Sequence, residues 1–354
     1  MPMSGVAELA RDLIEIPSPS GEEAALGEYL VRRLKGRFEV RTEAVDGNRF
    51  NVLAVRGDPK VVFTTHMDTV PGALPVSLTR LALRGRGACD AKGPLAAMIA
   101  AAEEAADLGY TDFGLFFDVD EEADFRGISV AMGGLAKGLS PKLVVVGEPT
   151  SLRLFVGQKG LLGLTLVSRG RAAHASTPEK GESAIMKLIS ALAELENMTW
   201  TRDVLYGETT VNIGVIKGGS APNVVADYAE AGVDMRIVPG DEEAASRIAG
   251  MLKGVSLRAA FSYPAVRCAG KEAEDMLLAL LSRKGLNARP AITPLFTEMY
   301  FWNRRSPSVI LGPGNPALAH TTEESVSIDE LETAVSLYRE IVEKYGNLTD
   351  RIPK

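Results

Sequence analysis

Three stretches of this chain share one pattern, an apolar run that stops on residues able to bind a cation. Val61-Val-Phe-Thr-Thr runs into His66-Met-Asp68, a run over Asp112–Val119 into Asp120-Glu121-Glu122, and Lys142–Val146 into Gly147-Glu148-Pro149. Runs of this length and composition read as strands buried on both faces, the habit of parallel sheets. Open α/β sheets bind ligands at the carboxyl ends of their strands. The predicted fold class is therefore α/β, with a mainly parallel sheet flanked by helices. Three consecutive acids at the end of a buried strand would raise one another's pKa unless a cation compensates.

Residues two apart on a strand point the same way, so His66 and Asp68 are expected to project together. Asp68 can accept one ring N–H of His66 and leave the other nitrogen for a metal. Taken alone, His-x-Asp also fits a strand-end histidine satisfied by a neighbouring carboxylate. The chain has only three histidines, His66, His174 and His320, and none falls on an apolar helical face. Each lies among Gly, Asp, Glu or Thr, which favours a site.

At 354 residues the chain is too long for one ordinary core. A net charge of −7 gives no electrostatic footprint for nucleic acid or an anionic membrane. Two cysteines, Cys89 and Cys268, make neither a disulfide framework nor a Cys-rich zinc site. No basic and apolar leader opens the sequence, and no segment is apolar enough to span a bilayer. These features predict a cytoplasmic protein.

Ser4 is placed to cap a first helix with Val6, Leu9, Leu13 and Ile14 inward, and Ser20 with Glu23 reads as a capping box for a second. Strands are expected at Phe38–Glu43, Asn51–Val55 and Leu78–Leu83. The Gly-rich turn Arg84-Gly-Arg-Gly-Ala-Cys-Asp90 lacks the third glycine of a dinucleotide fingerprint and the Lys-Ser/Thr end of a P-loop. It reads instead as a tight turn delivering the Asp90 carboxylate to the sheet edge, before an Ala-rich helix over Lys92–Leu108. A helix is expected near Gly127–Leu135.

Past Pro149 the rhythm changes. Strands at Gly160–Ser168, Thr210–Lys217, Ala226–Ile237 and Ser256–Ser262 alternate with helices at Glu182–Leu195 and Asp241–Leu252. This β-α-β-β-α-β order predicts an inserted ferredoxin-like α+β domain over 154–263. Residues 1–153 and 264–354 would form the discontinuous first domain. In its second part a helix at Glu272–Lys284, a strand at Pro307–Leu311 and a last helix opened by a capping box, Ser327 and Glu330, are expected.

The ordered motifs His66-Met-Asp68-Thr-Val-Pro-Gly, Gly87-Ala-Cys-Asp90-Ala-Lys-Gly, Asp120-Glu-Glu122, Gly147-Glu148-Pro and Ala319-His320-Thr carry a resemblance. Nearly the whole chain resembles the dizinc amidohydrolases that include acetylornithine deacetylase, succinyl-diaminopimelate desuccinylase, aminoacylase and the glutamate carboxypeptidases. The resemblance implies one zinc on His66 and Glu148, a second on Glu122 and His320, and Asp90 bridging them, with cobalt able to substitute. It implies Glu121 as general base, beside Asp68. Imidazole and carboxylate donors suit zinc, and three ligand carboxylates against two dications leave one positive charge for an ionised water.

For the inserted domain the resemblance implies a homodimer, in which His174 reaches the active site of the other subunit and steadies the developing oxyanion. Asn223, in Gly218-Gly-Ser-Ala-Pro-Asn223, and Arg236 resemble substrate-binding positions, Arg236 being suited to bidentate carboxylate recognition. Alternation along Ala231–Val238 sets Arg236 opposite the apolar face, free to meet a ligand. Two departures stand out. Ala123-Asp124-Phe125-Arg126 replaces the Gly- or Ser-rich turn many relatives have, and Cys89 stands where Ser, Thr or Val is usual.

The expected activity is hydrolysis of the amide of an N-acyl amino acid. The chain most resembles the branch releasing lysine or ornithine, from an N-acetyl precursor or from a small acidic carrier protein. Rival expectations are a dipeptidase, aminopeptidase or succinyl-diaminopimelate desuccinylase on the same metals, and a metal-binding regulatory protein without activity. The unligated acid at Glu121 argues against the last.

Overall fold

A computed structural model describes residues 4–348. In chain order the main elements are α1 (Gly5–Ile14), α2 (Ala24–Leu34), β1 (Glu39–Asp46), β2 (Arg49–Arg56), β3 (Val61–His66), α3 (Lys92–Asp107), β4 (Phe113–Asp118), α4 (Arg126–Gly133), β5 (Leu143–Val146), β6 (Phe155–Gln158), β7 (Gly160–Arg169), α5 (Ala184–Glu196), β8 (Thr210–Gly218), β9 (Tyr228–Ile237), α6 (Ala244–Met251), β10 (Val255–Tyr263), α7 (Lys271–Arg283), α8 (Met299–Asn303), β11 (Ser308–Ile310) and α9 (Ile328–Tyr345). Two compact units result. One comprises the chain up to Gly157, Arg267–Ala291 and the chain from Thr297; the other comprises Gln158–Val266 and Ile292–Phe296.

The first unit is built on a sheet ordered β1-β2-β4-β3-β5-β11-β6. Its centre is parallel: β3 pairs with β4 and β5, and β11 with β5. The β1–β2, β2–β4 and β11–β6 pairs are antiparallel. The sheet is thus mixed, and the expected mainly parallel order holds only where strands are buried throughout. Every residue of β3, β4 and β5 is buried, whereas β1 is exposed or half-buried along its length. An edge strand joined by the two-residue turn Gly47–Asn48 forms an antiparallel ribbon without needing a helical crossover.

Ala96, Ala97, Ala101, Ala102, Ala105 and Ala106 are buried on α3, where small side chains let the helix lie close against its neighbours α1 and α9. Phe63 of β3 meets Tyr338 of α9 with ring centroids 5.2 Å apart, and the Tyr338 hydroxyl donates to the Leu311 carbonyl at 2.7 Å. An aromatic pair of this kind adds ~0.5–1.5 kcal/mol beyond area burial, anchoring β3 to the final helix.

Both expected capping boxes are put to other uses. Ser20 Oγ donates to Asp68 Oδ2 at 2.6 Å, while Glu23 is fully buried against Arg49 at 3.2 Å. Neither Glu23 nor Ser327 makes a side-chain cap to its helix, and Glu330 accepts the Gly314 N–H at 2.6 Å. Tertiary partners outcompeted the local motif in each case. The strand expected over Leu78–Leu83 is a tight hairpin of two short strands, Ser77–Leu78 and Ala82–Arg84.

The second unit is a sheet ordered β8-β9-β7-β10, antiparallel at every pairing, the order of a ferredoxin-like fold. Leu188, Leu192 and Leu195 of α5 and Ile248 of α6 close its core over Leu164, Leu166, Val233 and Met235. No helix among the described residues is long and apolar enough to cross a membrane.

Candidate active site

The site lies at the carboxyl ends of β3, β4 and β5 in the first unit. β3 ends on His66, so Asp68 belongs to the turn after it rather than to the strand. That turn changes the expected partnership. His66 Nδ1 lies 2.9 Å from the Asp68 backbone carbonyl and 3.5 Å from its Oδ1. The main-chain oxygen is the nearer acceptor, and a donated N–H there fixes the tautomer with Nε2 facing the site. The Asp68 carboxylate serves the neighbouring loop instead, accepting the Glu121 N–H on Oδ1 and the Glu122 N–H on Oδ2, both at 3.1 Å.

The loop after β4 is a tight turn, with Asp120 and Phe125 at φ of 70° and 54° and the Phe125 N–H donating to the Asp120 carbonyl at 2.8 Å. Left-handed backbone at non-glycine residues is strained and persists where surroundings enforce it. Arg49 is one enforcer, 2.8 Å from Asp120 Oδ1 and buried with it. Phe125 is another, its ring 5.9 Å from that of Phe301. The atypical Ala123–Arg126 segment is thus a surface turn in which only Phe125 is half-buried. His320 also has positive φ, 63°.

His66 Nε2 is 3.1 Å from Asp90 Oδ1 and 3.9 Å from Glu148 Oε1. His320 Nε2 is 3.3 Å from Asp90 Oδ2 and 2.8 Å from Glu122 Oε1. Asp90 therefore presents one oxygen to each histidine. Burial would raise its carboxyl, but the hydrogen bonds with His320 and His66 hold it below the usual range. Those with Asp90 and Glu122 push His320 up to about 10. Burial, with the charges of Glu148, Glu298 and Glu122, lifts Glu121 well above the ordinary carboxylate value against the pull of His66.

Two groups of donors have their atoms within 4.8 Å of one another, His66 with Asp90 and Glu122, and Glu121 with Glu148 and Glu298. Glu298 escaped the sequence reading. It is fully buried, and its carboxyl group meets only that of Asp118, with no other hydrogen-bonding group of the described residues reaching either; Glu148 Oε1 likewise has no partner among them. The sequence signal was an acid inside an otherwise apolar stretch, Leu295-Phe-Thr-Glu298-Met-Tyr-Phe-Trp. Buried carboxylates without donors require a cation or a proton, so this donor set fits divalent metal ions.

The remaining candidates lie in the second unit. His174 is exposed on a loop bridged to Val224, and the Ala175 N–H donates to the Asn223 carbonyl at 3.0 Å. His174 Nδ1 accepts the Ser176 N–H at 3.1 Å, leaving Nε2 to carry the proton. Arg236 alternates away from the apolar face as expected, but it is not free. Its Nε donates to Asp234 Oδ1 at 2.8 Å, because the two side chains share one face of β9.

Residues 156–294 match the family model described as the peptidase dimerisation domain. A probable carboxypeptidase of Aspergillus flavus is 33% identical over 94% of this chain and 88% of its own length. A tripeptidase from Staphylococcus aureus superposes with a TM-score of 0.82 at 24% identity, covering 96% of this chain and 97% of its own. An M20 family metallo-carboxypeptidase from Sulfolobus solfataricus gives 0.78 at 16% identity, covering 97% and 99%. With an arrangement of histidines and carboxylates suited to divalent ions beneath this fold, the chain belongs to the M20 family of metal-dependent peptidases.

Proposed function

We propose that this protein hydrolyses the amide bond of an N-acyl amino acid or short peptide, at a bond beside a free α-carboxylate, with two zinc ions per subunit. His66 and Glu148 would hold one ion, Glu122 and His320 the other, and Asp90 would bridge them. The observation that carries this reading is Asp90, whose two oxygens face different histidines at 3.1 and 3.3 Å. Zinc or cobalt bound there would supply Lewis acidity toward the scissile carbonyl and lower the pKa of a water.

Glu121 takes the proton from the attacking water and hands it to the leaving amine. Asp68 fixes the backbone that carries Glu121. His174, protonated on Nε2, donates to the carbonyl oxygen as negative charge develops. Arg236 orients the substrate carboxylate through the edge of its guanidinium that Asp234 leaves open, and Asn223 contributes a second polar contact.

This division of labour requires a homodimer. The His174 and Asn223 loops adjoin the start of β9, where Gly219 donates to the Tyr228 carbonyl, whereas Arg236 lies near its other end. A 10-residue strand is roughly 30 Å long at ~3.4 Å per residue, too far for both ends to hold one small substrate. Residues from two subunits resolve the conflict. Support comes from the edge strand β8, with Val215 and Ile216 exposed, and from Met186 and Ile189 exposed on α5. An edge strand with exposed apolar side chains offers a surface for pairing with a second copy.

The name carboxypeptidase borne by relatives fits a bond next to a carboxylate. Release of lysine or ornithine, from an N-acetyl precursor or a small acidic carrier protein, is the narrowest form of the proposal and rests on the sequence resemblance alone. The test is an assay of metal-free and zinc-restored protein against N-acetyl-lysine, N-acetyl-ornithine, succinyl-diaminopimelate and simple dipeptides. Hydrolysis should appear only with metal and on substrates with a free α-carboxylate; inactivity on all of them after restoration would overturn it.

A further inference from the structure

Glu324 is 1% exposed, yet it touches none of the histidines of the site. Its Oε1 accepts the backbone N–H groups of Gly87 at 2.9 Å, and of Cys89 and Asp90 at 3.3 Å each. The turn that delivers Asp90 is wrapped around this one oxygen. Gly87 makes the wrapping possible with a φ of +88°, where an added Cβ would also meet Lys92 and Thr69 at 3.0 Å. Successive N–H groups converging on one point form an anion-holding concavity, filled here by a side chain of the chain itself.

The other oxygen, Oε2, is 2.6 Å from Arg86 Nη1. Arg86 in turn donates from Nη1 to the Thr321 carbonyl at 3.3 Å and from Nε to the Gly72 carbonyl at 3.0 Å. Thr321 follows His320, and Gly72 lies in the loop leaving Asp68. One part-buried ion pair thereby ties together the loops that carry Asp90 and His320, which come from distant parts of the sequence.

We propose that Glu324 and Arg86 are positioning residues that clamp the Asp90 turn to the His320 loop and so set the affinity of the metal position shared by Asp90, Glu122 and His320. This rests on the dinuclear reading above. Side chains that orient ligands from behind cost ~10–100-fold in metal affinity when removed. The clamp acts on backbone position through two contacts, the amides at Oε1 and Arg86 at Oε2, so a neutral acceptor kept at Oε1 should preserve only the first of them.

The experiment titrates metal-free protein with cobalt, followed by visible absorption and calorimetry, for wild type, Glu324→Ala, Glu324→Gln and Arg86→Met. Wild type should take up two ions per subunit. Glu324→Ala should bind one of the two ions ~10–100-fold less tightly, with the other affected less and near-UV circular dichroism unchanged. Glu324→Gln keeps an oxygen for the three amides but turns an NH₂ toward Arg86, so it should recover only the part of that loss that Arg86→Met does not show. Arg86→Met, which cuts the link to Thr321, should weaken that same ion alone. Wild-type affinities for both ions in folded Glu324→Ala would overturn the proposal. If that variant does not fold, wild-type affinities in Arg86→Met overturn it equally. Wild-type protein binding fewer than two ions would instead refute the dinuclear reading, and the clamp with it.

Discussion

Asp68 accepts the backbone N–H of Glu121 at 3.1 Å, so the residue whose carbonyl faces the first histidine sets, through its carboxylate, the position of the proposed general base. Its other oxygen takes the Glu122 N–H and the Ser20 hydroxyl. Asp68→Asn would turn an amide NH₂ toward one of these donors while leaving the fold intact. A loss of ~10–100-fold in kcat is expected, in line with other outer partners of metal ligands. Activity within twofold of wild type would show that the Glu121 backbone does not depend on this contact.

Glu121 itself should separate catalysis from metal binding. Glu121→Ala is expected to retain both ions by elemental analysis and to lose ~10²–10⁴-fold in kcat. Loss of an ion, or near-normal turnover, would contradict the role given to it.

Asp118 offers a pH test in the metal-free protein. Burial pushes its carboxyl up to about 8, helped by the Asp68 charge and opposed by His66. The folded state then holds a proton that the unfolded chain releases near pH 4. The resulting stability is present at low pH and is lost as pH rises toward 8. Relative to Asp118→Asn, the unfolding free energy of the wild type should fall by about 1.4 kcal/mol per pH unit across that window. Parallel urea-denaturation curves for the two proteins would contradict the buried-proton account.

Action in trans predicts complementation. Glu121→Ala and His174→Ala proteins, each inactive alone, should regain part of the wild-type rate after subunit exchange, because some heterodimers carry one intact composite site. A monomer in sedimentation, or no recovery after verified exchange, would contradict it.

The sequence displayed the strand-end residues because they interrupt apolar runs: His66, Asp120–Glu122 and Glu148 break a pattern that burial imposes. It hid what depends on tertiary meeting. Glu298 and Asp118 are acids within apolar stretches, and only the fold shows that they lie buried against each other. Ser20 and Glu23 have the spacing of a helix cap, and nothing local reveals that Asp68 and Arg49 claim them. Arg236 could be assigned to the polar face by alternation, yet alternation equally placed Asp234 beside it. The inserted sheet was legible in its order of elements, helped by β9, whose burial alternates along its length. The antiparallel edge of the larger sheet was not, since local pattern cannot say which neighbour a strand will take.

The central claim is hydrolysis of an amide beside a recognised carboxylate, and one pair of substrates tests it most directly. Metal-restored protein should be assayed on an N-acyl amino acid and on the same compound with its carboxylate converted to a primary amide. A site built around a polar partner rejects an analogue lacking it by up to ~10⁴-fold, and a lysine cannot reproduce two parallel hydrogen bonds from a planar guanidinium. The account predicts that kcat/KM collapses for the amide, and that Arg236→Lys shows much of the same loss on the acid with metal content unchanged. Comparable kcat/KM on acid and amide would contradict it and favour an aminopeptidase that recognises the free amine.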